Sequence, residues 1–297
     1  MTKEKYVLIT PVRNEGDYIE RTIKSVITQT IKPLKWIIVS DGSTDDTDGI
    51  VQKYLTDYKF IELIKTEDNT TRNFASKVTA FNVGYEQVRD LEYDFIGNLD
   101  GDVSFQPDYF KEILDRFDKN EKLGIAGGIK YDYEKGKYRK IYSARNSVCG
   151  AYQLFRRECF ENVGGYKPLK YGGVDSFVET MARMHGWEVR SYTDLVLYHH
   201  KPTGGGTNNV IKRRFRAGIK FYMIGYHPIF PIIRFLSRVY QKPYIIGSLV
   251  SISGFLWANL RKFKRPVSDE FVKYLRTEQS NRIKTFFSKG KDPAFKV

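Results

Sequence analysis

The amino-acid sequence predicts an α/β protein, with a mostly parallel sheet flanked by helices and a helical, basic C-terminal extension. Over the first 100 residues, short β-branched runs alternate with helical patterns, which is typical of parallel strands joined by crossover helices. The chain has 297 residues, 41% of them hydrophobic, enough for one large α/β domain with an appendage. Charge is uneven: residues 201–297 contain 20 Lys and Arg but only 4 Asp and Glu, whereas residues 1–200 carry a net charge of −2.

Four apolar runs are predicted to form buried strands. They are Tyr6–Thr10, Trp36–Ser40, Phe60–Ile64 and Asp94–Leu99. A helix is predicted between the first two strands, because Ile19, Ile23 and Val26 fall on one helical face. Asp17 and Glu20 have the spacing of a capping box at the start of this helix.

Polar, acid-bearing turns follow three of these strands. They are Thr10–Glu15, Asp41–Asp45 and Asp100–Asp102. In open α/β sheets, the ligand crevice lies outside the carboxyl ends of the strands, so the three turns should share one edge. Asp41 is predicted to point into the crevice and accept hydrogen bonds from a base or ribose, while Ser43 or Thr44 caps the next helix.

The pair Asp100 and Asp102 allows more than one interpretation. Two carboxylates separated by a single glycine repel each other unless a divalent cation neutralises them or one is protonated. A cation here would bridge to a diphosphate, whereas the alternative is an ordinary solvated acidic turn. The sequence has neither GxGxxG nor GxxxxGK[ST], which excludes the Rossmann dinucleotide and P-loop patterns.

The two cysteines and the N-terminus bear on the compartment. Cys149 and Cys159 form no CxxC pair, which argues against structural zinc and a disulfide framework and fits a reducing environment. The first residues lead directly into a strand pattern, without the apolar stretch of a signal peptide. We therefore expect the catalytic part to lie in the cytoplasm.

Taken together, the motifs resemble those of the family 2 glycosyltransferases. TPVRNE follows the first strand, SDGSTDDT the second, and DFIGNLDGD contains the fourth strand and its DXD motif. KVTAFNVG (77–84) and GAYQLFRRECFENVGGY (150–166) are also similar to family segments. The resemblance covers roughly residues 5–205. It implies a GT-A, Rossmann-like catalytic domain over residues 1–210 that transfers a sugar, with inversion, from a nucleotide-diphosphate sugar with the help of Mn²⁺ or Mg²⁺.

The resemblance also implies roles for individual residues. The donor nucleotide would be bound by Thr10, Pro11, Glu15, Asp41, Lys77 and Asp100. The metal would be held by Asp102 as principal ligand, with Asp100 and His199. Asp175 would be the general base, with Glu179 as runner-up, although Val174 stands where the family usually has an acidic residue. The resemblance also leaves His200 as the alternative to His199, with a contact to the diphosphate or acceptor. Independently of the resemblance, the glycine run 204–206 followed by basic residues, among them Arg213 and Arg214, is typical of a loop that closes over a diphosphate; a solvated basic helix face is the alternative.

The segment 211–297 is predicted to be a basic, amphipathic helical extension that associates with an anionic membrane surface. Its basic clusters alternate with the uncharged runs Phe221–Ile233 and Pro243–Leu260, a pattern that favours membrane over nucleic acid. Because Pro243–Leu260 has basic residues at both ends, we expect monotopic or peripheral attachment at the inner face of the cell membrane. A single span, a packed helical core and a dimer face are the alternatives.

Membrane attachment favours a lipid-linked acceptor, or a glycan acceptor in surface polysaccharide synthesis. Two other functions remain open at this stage. One is a nucleotidyltransferase, which uses the same type of sheet and a divalent metal; the other is a non-catalytic membrane adaptor that binds nucleotide sugars.

Overall fold

The computed structural model describes residues 5–66, 74–134, 136–141, 144–201, 209–236 and 244–289. These residues form two compact units. The first unit comprises residues up to 168 together with 174–201, and the second comprises 169–173 with the helices that follow residue 208.

The first unit contains nine strands and six helices among its described residues. Its strands are β1 (Tyr6–Val12), β2 (Lys35–Asp41), β3 (Ile61–Thr66), β4 (Phe95–Leu99), β5 (Val103–Phe105), β6 (Leu123–Glu134), β7 (Lys137–Lys140), β8 (Tyr152–Arg156) and β9 (Glu188–His199). Its helices are α1 (Ile19–Ile27), α2 (Thr47–Leu55), α3 (Phe74–Glu86), α4 (Tyr109–Asp118), α5 (Arg157–Asn162) and α6 (Val174–Met184). The four predicted strands correspond to β1 to β4, with ends that differ by one or two residues.

The sheet has the strand order β3-β2-β1-β4-β8-β6-β9-β5, with β7 paired to β6. Strands β1 to β4 are parallel to one another, and β6 and β9 are also parallel. β8 pairs antiparallel with β4 and β6, and β5 pairs antiparallel with β9. The predicted α/β class is thus confirmed, and the antiparallel strands lie in the half of the sheet beyond β4.

The core of the first unit lies on both faces of this sheet. β1, β2 and β4 are buried along nearly their whole length, which explains their continuous apolar sequences. α3 packs closely on β1 at Gly84, where an added Cβ would lie 2.7 Å from the Cγ2 atom of Ile9. This close packing holds α3 against the middle of β1.

The predicted helix caps are wrong. α1 begins at Ile19 without a side-chain cap, and its first amides bond instead to the backbone carbonyl of Glu15. α2 begins only at Thr47, so Ser43 and Thr44 lie too early to cap it.

The polar residues of these turns bond between the two loops instead. The Ser43 hydroxyl accepts the Asn14 amide at 3.2 Å, and the Asn14 side chain accepts the Thr44 amide at 2.7 Å. The loops after β1 and β2 lie side by side because the strands are parallel neighbours, so their polar groups meet each other.

The second unit is helical in its described residues. Its helices are α7 (Val210–Ile224), α8 (Ile229–Leu236), α9 (Tyr244–Leu260) and α10 (Asp269–Lys289). A small core forms between α7 and α9, around Ile219, Tyr222 and Phe255. Within the described ranges, none of the helices combines the length and hydrophobicity needed to cross a bilayer.

Candidate active site

A cavity of about 180 Å³ opens where the carboxyl ends of β1, β2 and β4 meet the start of α3. It is lined by Pro11, Val12, Arg13, Glu15, Asp41, Ser76, Lys77, Ala80, Asp100, Gly101 and Asp102. Five of the six residues predicted to bind the donor nucleotide therefore lie around one cavity. Both aspartates of the DXD motif are among the lining residues.

Thr10 is the exception, because it is not among the residues that line the cavity. Its side chain is fully buried, and its hydroxyl accepts a hydrogen bond from the indole N–H of Trp36 at 2.8 Å. Successive side chains of a strand point to opposite faces, so Thr10 enters the core where Pro11 reaches the cavity. A contact of Thr10 with the nucleotide stays a prediction.

Asp100, Asp102 and His199 form a cluster of potential metal ligands, which we call the ligand cluster. One ligand atom from each residue lies within 4.8 Å of the others. The Nε2 atom of His199 is 3.4 Å from Oδ1 of Asp102. The pairing of β5 with β9, with Val103 opposite His199, brings together residues that are almost 100 positions apart in the sequence.

The electrostatics of the ligand cluster favour a cation. Burial and the charge of Asp100 raise the pKa of Asp102, against the opposing effect of His199. Burial opposes protonation of His199, but the carboxylates of Asp132 and Asp102 outweigh it and raise its pKa.

One carboxylate oxygen of the ligand cluster is buried and accepts no hydrogen bond among the described residues. This atom is Oδ1 of Asp102. Two carboxylates and an imidazole nitrogen are suitable ligands for Mn²⁺ or Mg²⁺, so the residues present fit such an ion.

Behind His199 lies a buried ion pair. The Nδ1 atom of His199 is 3.2 Å from Oδ1 of Asp132, which is 2.8 Å from the ammonium of Lys130. Asp132 lies opposite His199 in the pairing of β6 with β9. The Asp132 carboxylate thus lies at the Nδ1 edge of the imidazole, while the Nε2 edge faces Asp102. A carboxylate in this position is common behind metal-binding histidines.

His200 points elsewhere. Its Nδ1 lies 2.7 Å from the Tyr138 hydroxyl and 3.2 Å from Arg21, and its Nε2 lies 2.9 Å from the Ser104 hydroxyl. Burial and the nearby Arg21 lower the pKa of His200 to about 4. Because both ring nitrogens already have protein partners, the structure does not support the predicted contact of His200 with a diphosphate.

Two lysines pair with acidic residues of the cavity. Lys77 forms an ion pair with Asp100; burial alone would lower the pKa of Lys77, but Asp100 outweighs it and raises the pKa. Lys201, which the sequence analysis did not single out, pairs with Glu15 at 2.8 Å. Positive charge therefore lies beside the acidic residues where a diphosphate would be bound.

Asp175 lies in the first turn of α6, half-buried and against the backbone of Gly150. A Cβ atom at Gly150 would be 3.1 Å from Cβ of Asp175 and 3.6 Å from its Oδ2. The next carbonyl, that of Ala151, accepts the backbone N–H of Asp100 at 2.8 Å. The 150–151 backbone therefore lies between Asp175 and the residue that begins the DXD motif, and Asp175 is not among the residues that line the cavity.

Glu179, one turn after Asp175, is fully buried. Its Oε1 accepts the Val148 amide at 2.6 Å and the Gln153 side-chain amide at 3.2 Å. Burial, followed by the charge of Asp175, raises the pKa of Glu179 to about 8. Glu179 thus anchors the segment before Gly150, which leaves Asp175 as the better placed of the two candidate bases.

The family model for glycosyl transferase family 2 matches residues 7–172, more than half of the chain. The chain belongs to glycosyl transferase family 2. This confirms the family predicted from the sequence motifs.

Named relatives of this family 2 chain include polysaccharide synthases. It is 27% identical over 190 residues to the poly-β-1,6-N-acetyl-D-glucosamine synthase of Staphylococcus epidermidis, covering 57% of this chain and 42% of that protein. It is 24% identical over 227 residues to the glycosyltransferase AglE of Haloferax volcanii, covering 71% of each. It is 30% identical over 176 residues to the chondroitin synthase of Escherichia coli, covering 56% and 24%. The chain thus spans less than half of the length of the synthases.

Solved structures share the fold of this family 2 chain. The mannosyltransferase PcManGT of Pyrobaculum calidifontis, in complex with GDP-Man and Mn²⁺, superposes with a TM-score of 0.56 at 15% identity, covering 99% of this chain and 78% of that one. S. aureus TarS 1–349 in complex with UDP-GlcNAc gives a TM-score of 0.58 at 14% identity, covering 93% and 83%. At these identities, the likeness shows the GT-A fold.

Several residues of the family 2 site escaped the sequence analysis. Gly101 is required between the two aspartates, because a Cβ there would lie 2.7 Å from a methyl of Val12. Lys130 and Asp132 carried a signal, since charges two positions apart within an otherwise apolar strand must be paired when buried. Arg213 and Arg214 lie on α7 in the second unit, and their contact with a diphosphate stays a prediction.

Proposed function

We propose that the chain is an inverting, metal-dependent glycosyltransferase that moves a sugar from a nucleotide-diphosphate sugar to a hydroxyl or phosphate acceptor. The observation that carries this proposal is the ligand cluster at a cavity formed by the carboxyl ends of three parallel strands. The relatives named above as synthases, and the neighbours whose titles name GDP-Man with Mn²⁺ and UDP-GlcNAc, support it.

The donor nucleotide occupies the cavity in this proposal. Asp41, which is largely buried and lies 3.2 Å from the Thr66 hydroxyl, accepts hydrogen bonds from the base or the ribose. Pro11 and Glu15 form the neighbouring wall, and Lys77 and Lys201 supply positive charge near the diphosphate.

Asp102, Asp100 and His199 hold a Mn²⁺ or Mg²⁺ ion in this proposal. When bound, such an ion neutralises the negative charge of the leaving diphosphate. Without it, Asp100 and Asp102 would repel both each other and the phosphates, and Lys77 compensates for only part of that charge. The main support for this assignment is the convergence of two carboxylates and an imidazole nitrogen, with Oδ1 of Asp102 buried and 3.4 Å from Nε2 of His199.

Asp175 is the general base. It takes the proton of the acceptor hydroxyl as the acceptor oxygen bonds to the anomeric carbon, on the face opposite the nucleotide. The bond from that carbon to the diphosphate oxygen breaks, and the nucleoside diphosphate leaves with the electron pair. A single displacement of this kind inverts the anomeric centre, and no covalent intermediate with the protein forms.

The enzyme is proposed to act at the inner face of the cell membrane. The catalytic role is assigned to residues 1–210, and peripheral or monotopic attachment to residues 211–297. A lipid-linked acceptor, or a glycan acceptor in surface polysaccharide synthesis, is supported by the relatives named as poly-β-1,6-N-acetyl-D-glucosamine and chondroitin synthases. The net charge of +16 on residues 201–297 complements an anionic lipid surface.

A thermal-shift screen with UDP-, GDP- and dTDP-sugars, each with Mn²⁺ or with EDTA, tests the donor and metal. We expect one donor class to stabilise the protein in the presence of Mn²⁺ and much less with EDTA. Product analysis with polyprenyl-phosphate, polyprenyl-diphosphate-sugar and soluble acceptors should then show nucleotide release and sugar transfer. Pyrophosphate release would indicate a nucleotidyltransferase instead, and binding without any turnover would indicate an adaptor.

A further inference from the structure

Helix α9 buries most of its small residues and exposes most of its large apolar residues. The buried positions are Gly247, Ser248, Ser251, Gly254, Phe255 and Ala258. The opposite side, which we call the outer face of α9, exposes Ile245, Ile246, Leu249, Leu256, Trp257 and Leu260. Leu260 is 80% exposed and Ile245 is 62% exposed, which is the reverse of the arrangement in a helix that faces water.

The small residues of the buried side are explained by contact with α7. An added Cβ at Gly254 would lie 2.1 Å from the Phe215 carbonyl oxygen, and one at Gly218 would lie 1.9 Å from the Ser251 carbonyl oxygen. The two helix backbones therefore approach so closely that only glycine fits at these positions. This packing requires small side chains on one side of α9, but it gives no reason for leucine and isoleucine on the other.

The apolar surface continues onto α8, which packs against α9 in the same unit. Ile229, Ile232 and Ile233 are exposed there, with Ile229 at 53%. Nine large apolar side chains on two adjacent helices are thus turned outward in the part of the second unit that the structure describes. A concentration of this kind marks a surface that meets another apolar phase.

Charge identifies that phase. Arg261, Lys262 and Lys264 are exposed immediately after α9. The sequence contains no Asp or Glu from residue 195 to residue 268, so no acidic side chain of this stretch offsets them. Apolar surface bordered by lysine and arginine complements an anionic lipid bilayer, whereas an interface between copies of this chain would bring like charges together.

We infer that α8 and α9 lie in the plane of a bilayer containing anionic lipid, with the outer face of α9 among the acyl chains and its basic end at the headgroups. The 17 residues of α9 rise about 25 Å, less than the roughly 30 Å of a hydrocarbon core, which fits a helix lying in the interface. The inference rests on the proposed function for its purpose, the capture of a membrane-bound acceptor, but not for the binding itself.

Flotation of the full chain with phosphatidylglycerol-rich vesicles, compared with pure phosphatidylcholine vesicles, tests this inference. We expect the wild-type chain to float with the anionic vesicles. The double variant Leu249→Asp, Leu256→Asp should lose vesicle affinity by about tenfold or more per leucine, since each change removes a buried apolar side chain. Leu34→Asp makes the same change at an exposed leucine of the first unit and should float like wild type.

Two further measurements keep the test independent of misfolding. Brominated lipid should quench part of the tryptophan emission of the wild-type chain, and the mild variant Trp257→Phe should lose that quenching while still floating. Arg261→Gln with Lys264→Gln should weaken binding to anionic vesicles while the far-UV circular dichroism stays unchanged.

The outcomes separate this inference from the proposed function. Wild-type protein that turns over donor but does not float, or a double variant that floats like wild type, overturns the inference and leaves the enzyme assignment standing. Flotation without any nucleotide release overturns the enzyme assignment alone. If light scattering shows a wild-type dimer that the double variant converts to a monomer, without flotation of either, the outer face of α9 is a dimer interface and the inference is wrong.

Discussion

The two units place apolar and charged side chains in opposite ways. In the first unit, large residues such as Trp36 and Phe95 are buried, and charged residues gather at one edge of the sheet around the cavity. In α9 of the second unit, most glycine and serine residues are buried. Its leucine and isoleucine residues are exposed, and only positively charged residues follow them at the end of the helix.

The difference indicates which kind of ligand or surface each unit suits. Charges of the first unit are paired at the site: Lys130 and Asp132 form a buried ion pair, because an isolated charge in the interior is very costly, and the more exposed Lys77 pairs with Asp100. Such an arrangement suits a small, highly charged ligand bound at a fixed point. The second unit offers an extended apolar surface with one sign of charge, which suits a broad surface rather than a small molecule.

The largest expected effect is that of Asp102→Asn, which tests whether the buried acid of the first unit serves a cation. We expect transfer to fall by about 10³-fold, because a cation clamp supplies several kcal/mol of charge stabilisation. Mn²⁺ titration followed by electron paramagnetic resonance should show weakened binding as well. Asp194→Asn, an exposed acid on β9, is the matched control; equal loss in both variants would count against the ligand cluster.

Asp175→Asn tests the reactive side of the same unit. We expect kcat to fall roughly 10²- to 10³-fold while the donor-induced thermal shift stays as in wild type, because a general base acts on the acceptor and not on the nucleotide. Steady-state kinetics with varied donor and acceptor measure the split between kcat and KM. A variant with wild-type kcat would remove Asp175 from the mechanism.

Gly254→Ala tests the packing of the second unit, where glycine allows α9 to approach α7 closely. The added methyl would meet the Phe215 carbonyl, so we expect a loss of about 3 kcal/mol in the free energy of unfolding of the helices. Urea unfolding followed by circular dichroism measures it. Ser253→Ala, at an exposed position of the same helix, should change stability by less than about 0.5 kcal/mol.

Glu179→Gln is expected to have the smallest effect, and it appears as a pH dependence. The folded pKa of about 8 lies above the ordinary 4.5, so the folded protein holds this proton more tightly than the unfolded chain. The corresponding stabilisation is complete below about pH 4.5 and is lost as the pH rises through about 8. We expect wild type to lose on the order of 1–2 kcal/mol relative to the variant between pH 6.5 and pH 8.

Denaturant unfolding at these two pH values measures the difference. Gln still accepts a hydrogen bond from the Val148 amide, so the variant keeps the anchor while losing the titration. Parallel pH profiles for the two proteins would show that Glu179 is already ionised in the folded state.

Local sequence patterns predicted much of this fold and of the candidate site. The apolar runs located β1 to β4, and the polar turns after three of them supplied most of the cavity wall. The predictions that the structure did not support depended on which way a side chain points or on residues far away in the sequence. Thr10 and Pro11 are adjacent in the same motif, yet the pleat sends one into the core and the other to the cavity. Likewise, the pairing of β5 with β9 places His199, and not His200, in the ligand cluster.

The amino-acid sequence by itself determined the α/β class, the family motifs and the segregation of positive charge, because these depend on residue type and on spacing along the chain. The contacts between side chains far apart in the sequence follow instead from the tertiary structure. The ligand cluster joins Asp100 and Asp102 to a histidine almost 100 residues away, and the outward apolar side of α9 became visible only once α7 was packed against the other side. Contacts between segments far apart in sequence follow from sheet register and helix packing, and neither is written in any local stretch of the chain.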